Sequence, residues 1–285
     1  MPAPELHRWH ALAAFMTEGD DALFHLDAAW HGHVAAGEPA QADLCAQMAL
    51  VFSLVDNGAA SHTRDWLART ATAATPWWTV AADAADAAAD PLWQHLGQIA
   101  RVALGEADDA IAVAAAQWLD SQLRARAPLL LSAHQRLLGA LLLLEYRFAT
   151  QRFDQILLLC NLVEAPALFA PAAALLRARW VLMVGYTHHL VGDATDAARA
   201  WQAALDLALR EGCPSVQLQA RLALARQQLD AGQLSDAQTQ LDALQPRWGA
   251  GRVAQLIQWL QLRAQLLMLR DQPQRAQAQL TDAIR

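Results

Sequence analysis

The chain has 285 residues, 55% of them hydrophobic, and a formal net charge of −7. Its apolar residues are mainly Ala and Leu, a composition that favours helix and supplies a large core, while no apolar run reaches membrane-spanning length and the negative balance argues against nucleic-acid binding. Cys45, Cys160 and Cys213 are odd in number and far apart, which argues against a disulfide frame or a zinc site and makes them packing residues.

All 21 basic residues are arginine, so Schiff-base chemistry and the lysine-bearing phosphate loop are out of reach. Charge is uneven: residues 1–176 carry 9 Arg against 19 Asp and Glu, and residues 177–285 carry 12 against 9. The opening MPAPELHRWH is no secretory signal, and a cytoplasmic location is the expectation.

A recurring turn organises the elements. In GDATDAARAWQAALDLAL, residues 192–209, Ala197, Trp201 and Ala204 follow a Gly-Asp turn at steps of four and three, giving one helical face that reads small, large, small. Equivalent turn positions along the chain are Gly19, Gly58, Gly105, Gln151, Gly192, Gly232 and Asp271, and prolines fall between the segments so marked. The last four are spaced by 41, 40 and 39 residues (151 to 192, 192 to 232, 232 to 271). One domain of seven antiparallel helix pairs is predicted, at about 1–38, 40–75, 91–127, 129–165, 172–212, 215–247 and 252–285.

In the first pair, His7 and His10 lie one helical turn apart, and His31 and His33 flank Gly32 at an expected turn. Two imidazoles at that spacing invite a metal, but HExxH and cysteine pairs are absent, so no metal site is expected. After the second pair come Trp77 and Trp78 in an expected loop, then Asp83, Asp86 and Asp90 as an acidic stripe on a solvated helix face. Trp93, Trp180 and Trp259 each precede a turn position by twelve residues, which assigns them to the core of their hairpins. His188 and His189 end a first helix, where a cation complements the helix dipole.

The run Gly185, Gly192, Ala197, Trp201, Ala204, with partial matches at Ala225, Gly232, Ala237, Ala264, Ala276 and Ala283, resembles the tetratricopeptide repeat. The resemblance implies an all-α, right-handed αα-solenoid of about seven hairpins whose first helices line a concave, partner-binding face. A period near 40 instead of 34, with the tryptophans one place early, departs from that family. It is similar to the sensor repeats of MalT-type (LuxR-family) bacterial transcription activators, as is the opening HRWHALAAFMTEGDDALFHLDAAW.

Six residues ahead of the last four turns stand Glu145, Tyr186, Arg226 and Gln265, a polar ladder able to grip an extended ligand, with Arg179, His189, Gln219, Gln258 and Gln261 nearby. Phe148, Leu229 and Met268 would instead build a groove for an amphipathic helix. No nucleophile elbow, phosphate cradle or paired carboxylates appear, so no catalytic residue and no cofactor are expected. The expected function is a non-enzymatic interaction or sensor segment of a bacterial regulator, binding a protein, a peptide or a small effector. The alternatives are a stand-alone adaptor or chaperone-like subunit, and a helical enzyme with a buried site. Residues 274–285 form a short final helix with no polar capping helix after it, so self-association through that end, or a longer protein, is a further expectation.

Overall fold

The computed structural model describes residues 4–16, 22–56, 60–71, 95–97, 99–100, 109–124, 132–163, 174–244 and 253–284. Among them every regular element is helical and no strand occurs, as the Ala- and Leu-rich composition requires. The expected turns at Gly19, Gly58 and Gly105, the tryptophans Trp77, Trp78 and Trp93, and the stripe Asp83, Asp86, Asp90 lie outside the described residues. Two compact units form, Met1–Leu176 and Arg177–Arg285, divided where the sign of the sequence charge changes.

In the first unit, α1 (Pro4–Met16), α2 (Ala22–Ala35), α3 (Pro39–Asp56) and α4 (Ala60–Ala71) pack in succession. Phe15 of α1 stacks on Phe52 of α3 with ring centroids 3.9 Å apart. Gly32 sits inside α2 and makes no turn: a Cβ there would come within 2.6 Å of Pro4 Cγ, so the glycine serves close approach of α1. The reversal falls at Gly37 instead, with φ +71°. Next, α5 (Asp109–Arg124), α6 (Ala133–Ala149) and α7 (Phe153–Val163) pack on one another, and α6 touches α3. Ser132 and Gln135 cap α6 reciprocally, satisfying two backbone donors at its start. Arg147 is buried, donating to Gln155 O at 2.9 Å and to Asp120 at 3.2 Å.

The chain continues through α8 (Ala174–Leu190), α9 (Ala194–Glu211), α10 (Pro214–Asp230), α11 (Leu234–Asp242), α12 (Val253–Leu269) and α13 (Pro273–Ile284). Within the second unit each helix from α9 onward packs on the next, and α10 also packs on α12, so first helices touch first helices. Leu222, Ala225, Leu241, Trp259 and Leu262 share one buried cluster there. Burial of such side chains contributes about 1.5–3 kcal/mol each for the large ones, which is where the stability of short helices comes from.

The turn residues read from sequence share one backbone state. Gln151, Gly192, Gly232 and Asp271 have φ of 57°, 84°, 73° and 58°, and each stands in a three-residue connection. In all four the residue after the turn donates back to the carbonyl five before it: Arg152 to Arg147, Asp193 to His188, Gln233 to Gln228 and Gln272 to Leu267. That is the double closure of a Schellman motif, which satisfies carbonyls that a helix end leaves open. Five residues on, Ile156, Ala197, Ala237 and Ala276 are all buried. Trp180 and Trp259 are buried as expected, and the three cysteines are buried too.

Candidate functional site

The shared turn fixes which residues occupy equivalent places on the first helices α6, α8, α10 and α12. Seven ahead of the turn, Leu144, Gly185, Ala225 and Ala264 are buried; one residue later, Glu145, Tyr186 and Gln265 are half-buried and Arg226 is exposed. A single step along the helix therefore carries each chain from core to rim. Glu145 belongs to the first unit and the other three to the second.

In the second unit Trp201 forms the floor beneath this rim. Its indole lies against Gly185, where a Cβ would overlap the ring, and it meets Tyr186 edge-on with centroids 5.4 Å apart. The exposed His189 ring stands 5.6 Å from the same indole. Further along, Gln258 is half-buried and Gln261 exposed, while the Arg263 guanidinium lies 4.8 Å over the Trp259 ring. The rim thus offers one exposed guanidinium, amide groups and an aromatic face, a set suited to hydrogen bonds with extended backbone and to carboxylates.

Two of the expected residues stand elsewhere. Arg179 is buried and its Nη2 donates to Ser215 Oγ at 3.0 Å, and Gln219 is buried as well. The Arg179 bond ties α8 to α10, and Gln219 lies buried on α10. Of the groove residues, Leu229 is in the core, Phe148 is half-buried and Met268 is 57% exposed. Trp201 as the floor beneath the rim is legible through Gly185, the one glycine among the four positions seven ahead of the turn.

Comparison of the chain with protein-family models, with curated proteins and with solved structures finds no match. The residues themselves carry the functional reading. Among the described residues, the ligand atoms of His188, Asp193 and Asp196 gather within 4.8 Å at the connection from α8 to α9. That gathering has structural work already: the Asp196 backbone N–H donates to Asp193 Oδ1 at 3.0 Å, which holds the Asp193 carboxyl below its ordinary range, and Asp196 pairs with Arg199 at 2.5 Å. His31 and His33 likewise have partners, the Asp27 carbonyl at 2.9 Å and Glu38 at 2.7 Å.

Proposed function

We propose that this chain is a non-enzymatic helical-repeat scaffold that binds a protein or peptide along the exposed rim of its first helices. The observation that carries the reading is the four-fold recurrence of one turn, at Gln151, Gly192, Gly232 and Asp271, which sets a polar residue six places earlier at the core boundary each time. Repetition of a partly exposed polar place at hairpin spacing is what recognition of an extended ligand demands, since each hairpin adds one anchoring point. In this reading the hairpins stack as a tetratricopeptide-like right-handed solenoid, and Tyr186, Arg226 and Gln265 make the contacts with His189, Gln258 and Gln261 beside them.

The arrangement suits the sensor segment of a bacterial regulator of the MalT type, in the cytoplasm. A partner that favours one curvature of the stack shifts the population toward it and so changes what adjoining modules touch. No helix among the described residues is long and apolar enough to cross a membrane.

The test is capture from lysate by cross-linking, with the partner identified and its affinity measured against three proteins. Wild type and an Arg210→Glu control, at an exposed position of α9, are expected to bind alike, while Arg226→Glu binds at least tenfold more weakly with unchanged helicity. Equal binding by all three removes the rim from the proposal.

A further inference from the structure

Independently of the scaffold reading, the first hairpin brings together three imidazoles that sequence spacing could not connect. His7 and His10 stand on α1, and His25 stands on α2, eighteen residues from His7. His7 Nδ1 lies 3.1 Å from His25 Nδ1, with ring centroids 5.3 Å apart, and the His10 ring stands 5.2 Å from that of His25 in a T-shaped arrangement. We infer that His7 and His25, completed by His10, form a site for a divalent transition-metal ion of the zinc and cobalt class.

Two geometric points support the site. Two nitrogens on one zinc, each about 2.0–2.1 Å from the metal at a tetrahedral angle, stand about 3.3 Å apart, so the Nδ1 pair is within a few tenths of an ångström of a shared ion. The pair comes from two packed helices, so their backbones already hold the chelate and little ordering is left for the metal to impose. His10 is exposed and closes on the ion by rotation of its side chain, leaving a fourth position for water. Imidazole ligands without thiolate or carboxylate fit zinc, cobalt or nickel, and fit calcium and magnesium poorly. A bound ion would staple α1 to α2.

The test uses the full chain without a polyhistidine tag, titrated with Co²⁺ and read by its visible ligand-field absorption, with bound metal counted after dialysis. Expected are one equivalent per chain, displacement by Zn²⁺, and a Zn²⁺-dependent rise in melting temperature. His25→Ala is expected to lower affinity at least a hundredfold and His10→Ala at least tenfold, while His134→Ala, at an exposed position of α6, and Asp193→Asn are expected to leave affinity unchanged. His7→Gln, which keeps the helical propensity of α1, serves if His25→Ala loses helicity, and is expected to match it. The proposal fails if wild type takes up no cobalt, which makes the His7–His25 contact a hydrogen bond between neutral rings only. It fails equally if His25→Ala and His7→Gln retain wild-type affinity, or if Asp193→Asn abolishes binding.

Discussion

Gly185 lies flat against the indole of Trp201, in a space that a single added methyl would occupy. The same two places in the neighbouring hairpins, seven before and nine after the turn, hold Leu144 with Cys160 and Ala225 with Leu241, all buried. In each of these three hairpins one of the two places holds a large residue and the other a small one. Gly185→Ala is therefore expected to destabilise the chain by about 1–3 kcal/mol through overpacking, even though alanine is the better helix former. Adding Trp201→Leu should recover part of that loss. Urea denaturation of both single variants and the double variant measures the coupling, and simple additivity would separate the two residues.

The four turns divide by chemistry. Gly192 has φ +84°, well beyond the range in which other residues sit comfortably, and nothing stands within 4 Å of where its Cβ would be. Gly192→Val is expected to lose about 1 kcal/mol or more from backbone strain alone. Asp271 already holds φ +58° at the matching place, so Asp271→Gly is expected to stabilise by up to about 1 kcal/mol. Opposite shifts in denaturation midpoint check the pair.

Arg69 is clasped between two rings. Its guanidinium lies 4.6 Å from the Trp30 centroid and 4.3 Å from that of Trp66, and Nη1 reaches Asp27 at 2.6 Å. Only a planar cation can face two indoles and a carboxylate together. Arg69→Lys is expected to lose about 1–2 kcal/mol of stability, with Arg69→Leu losing at least as much. A lysine variant as stable as wild type would show that charge without shape suffices.

Stability should fall on both sides of neutrality. Burial pushes the Cys45 thiol from 9.0 up to about 12, so above pH 9 the unfolded chain releases a proton that the native chain keeps, and stability declines as pH rises through that window. Cys45 should accordingly resist thiol reagents while the chain is folded. In acid, His7, held down by burial and then by His25 and His10, and His95, held down by burial beside Trp118, take up protons less readily in the native state. Below pH 6.5 the unfolded chain takes up protons that they refuse, and stability drops. Burial pushes Asp120 upward, but hydrogen bonds and charge from Arg124 and Arg147 outweigh it, so its contribution is present above pH 3.8 and is lost as pH falls through the lowered native value. Melting temperature against pH, with Cys45→Ala flattening the alkaline limb, checks the assignment.

The helices were legible because alanine and leucine admit few alternatives, and the turns because a left-handed residue recurs every forty places even where it is Gln151 or Asp271. Gly32 misled for a physical reason: a glycine between two histidines reads as a turn, yet Pro4, distant in sequence, is what needs the missing side chain. The polar ladder could be placed by register, but its depth could not. Arg179 and Gln219 read as exposed polarity until Ser215 supplied a buried partner for the guanidinium. The approach of His25 to His7 depends on how two helices rotate against each other, which no periodicity encodes.

Leu241 O, near the end of α11, accepts the Leu244 backbone N–H at 3.3 Å and the indole N–H of Trp259 at 3.0 Å. A group carried by the following hairpin thus finishes the preceding helix. Detachment of α12 would leave α11 frayed, so unravelling from the C-terminal side should advance past the segment removed, hairpin by hairpin, like a row of tiles each pinned by the one laid over it.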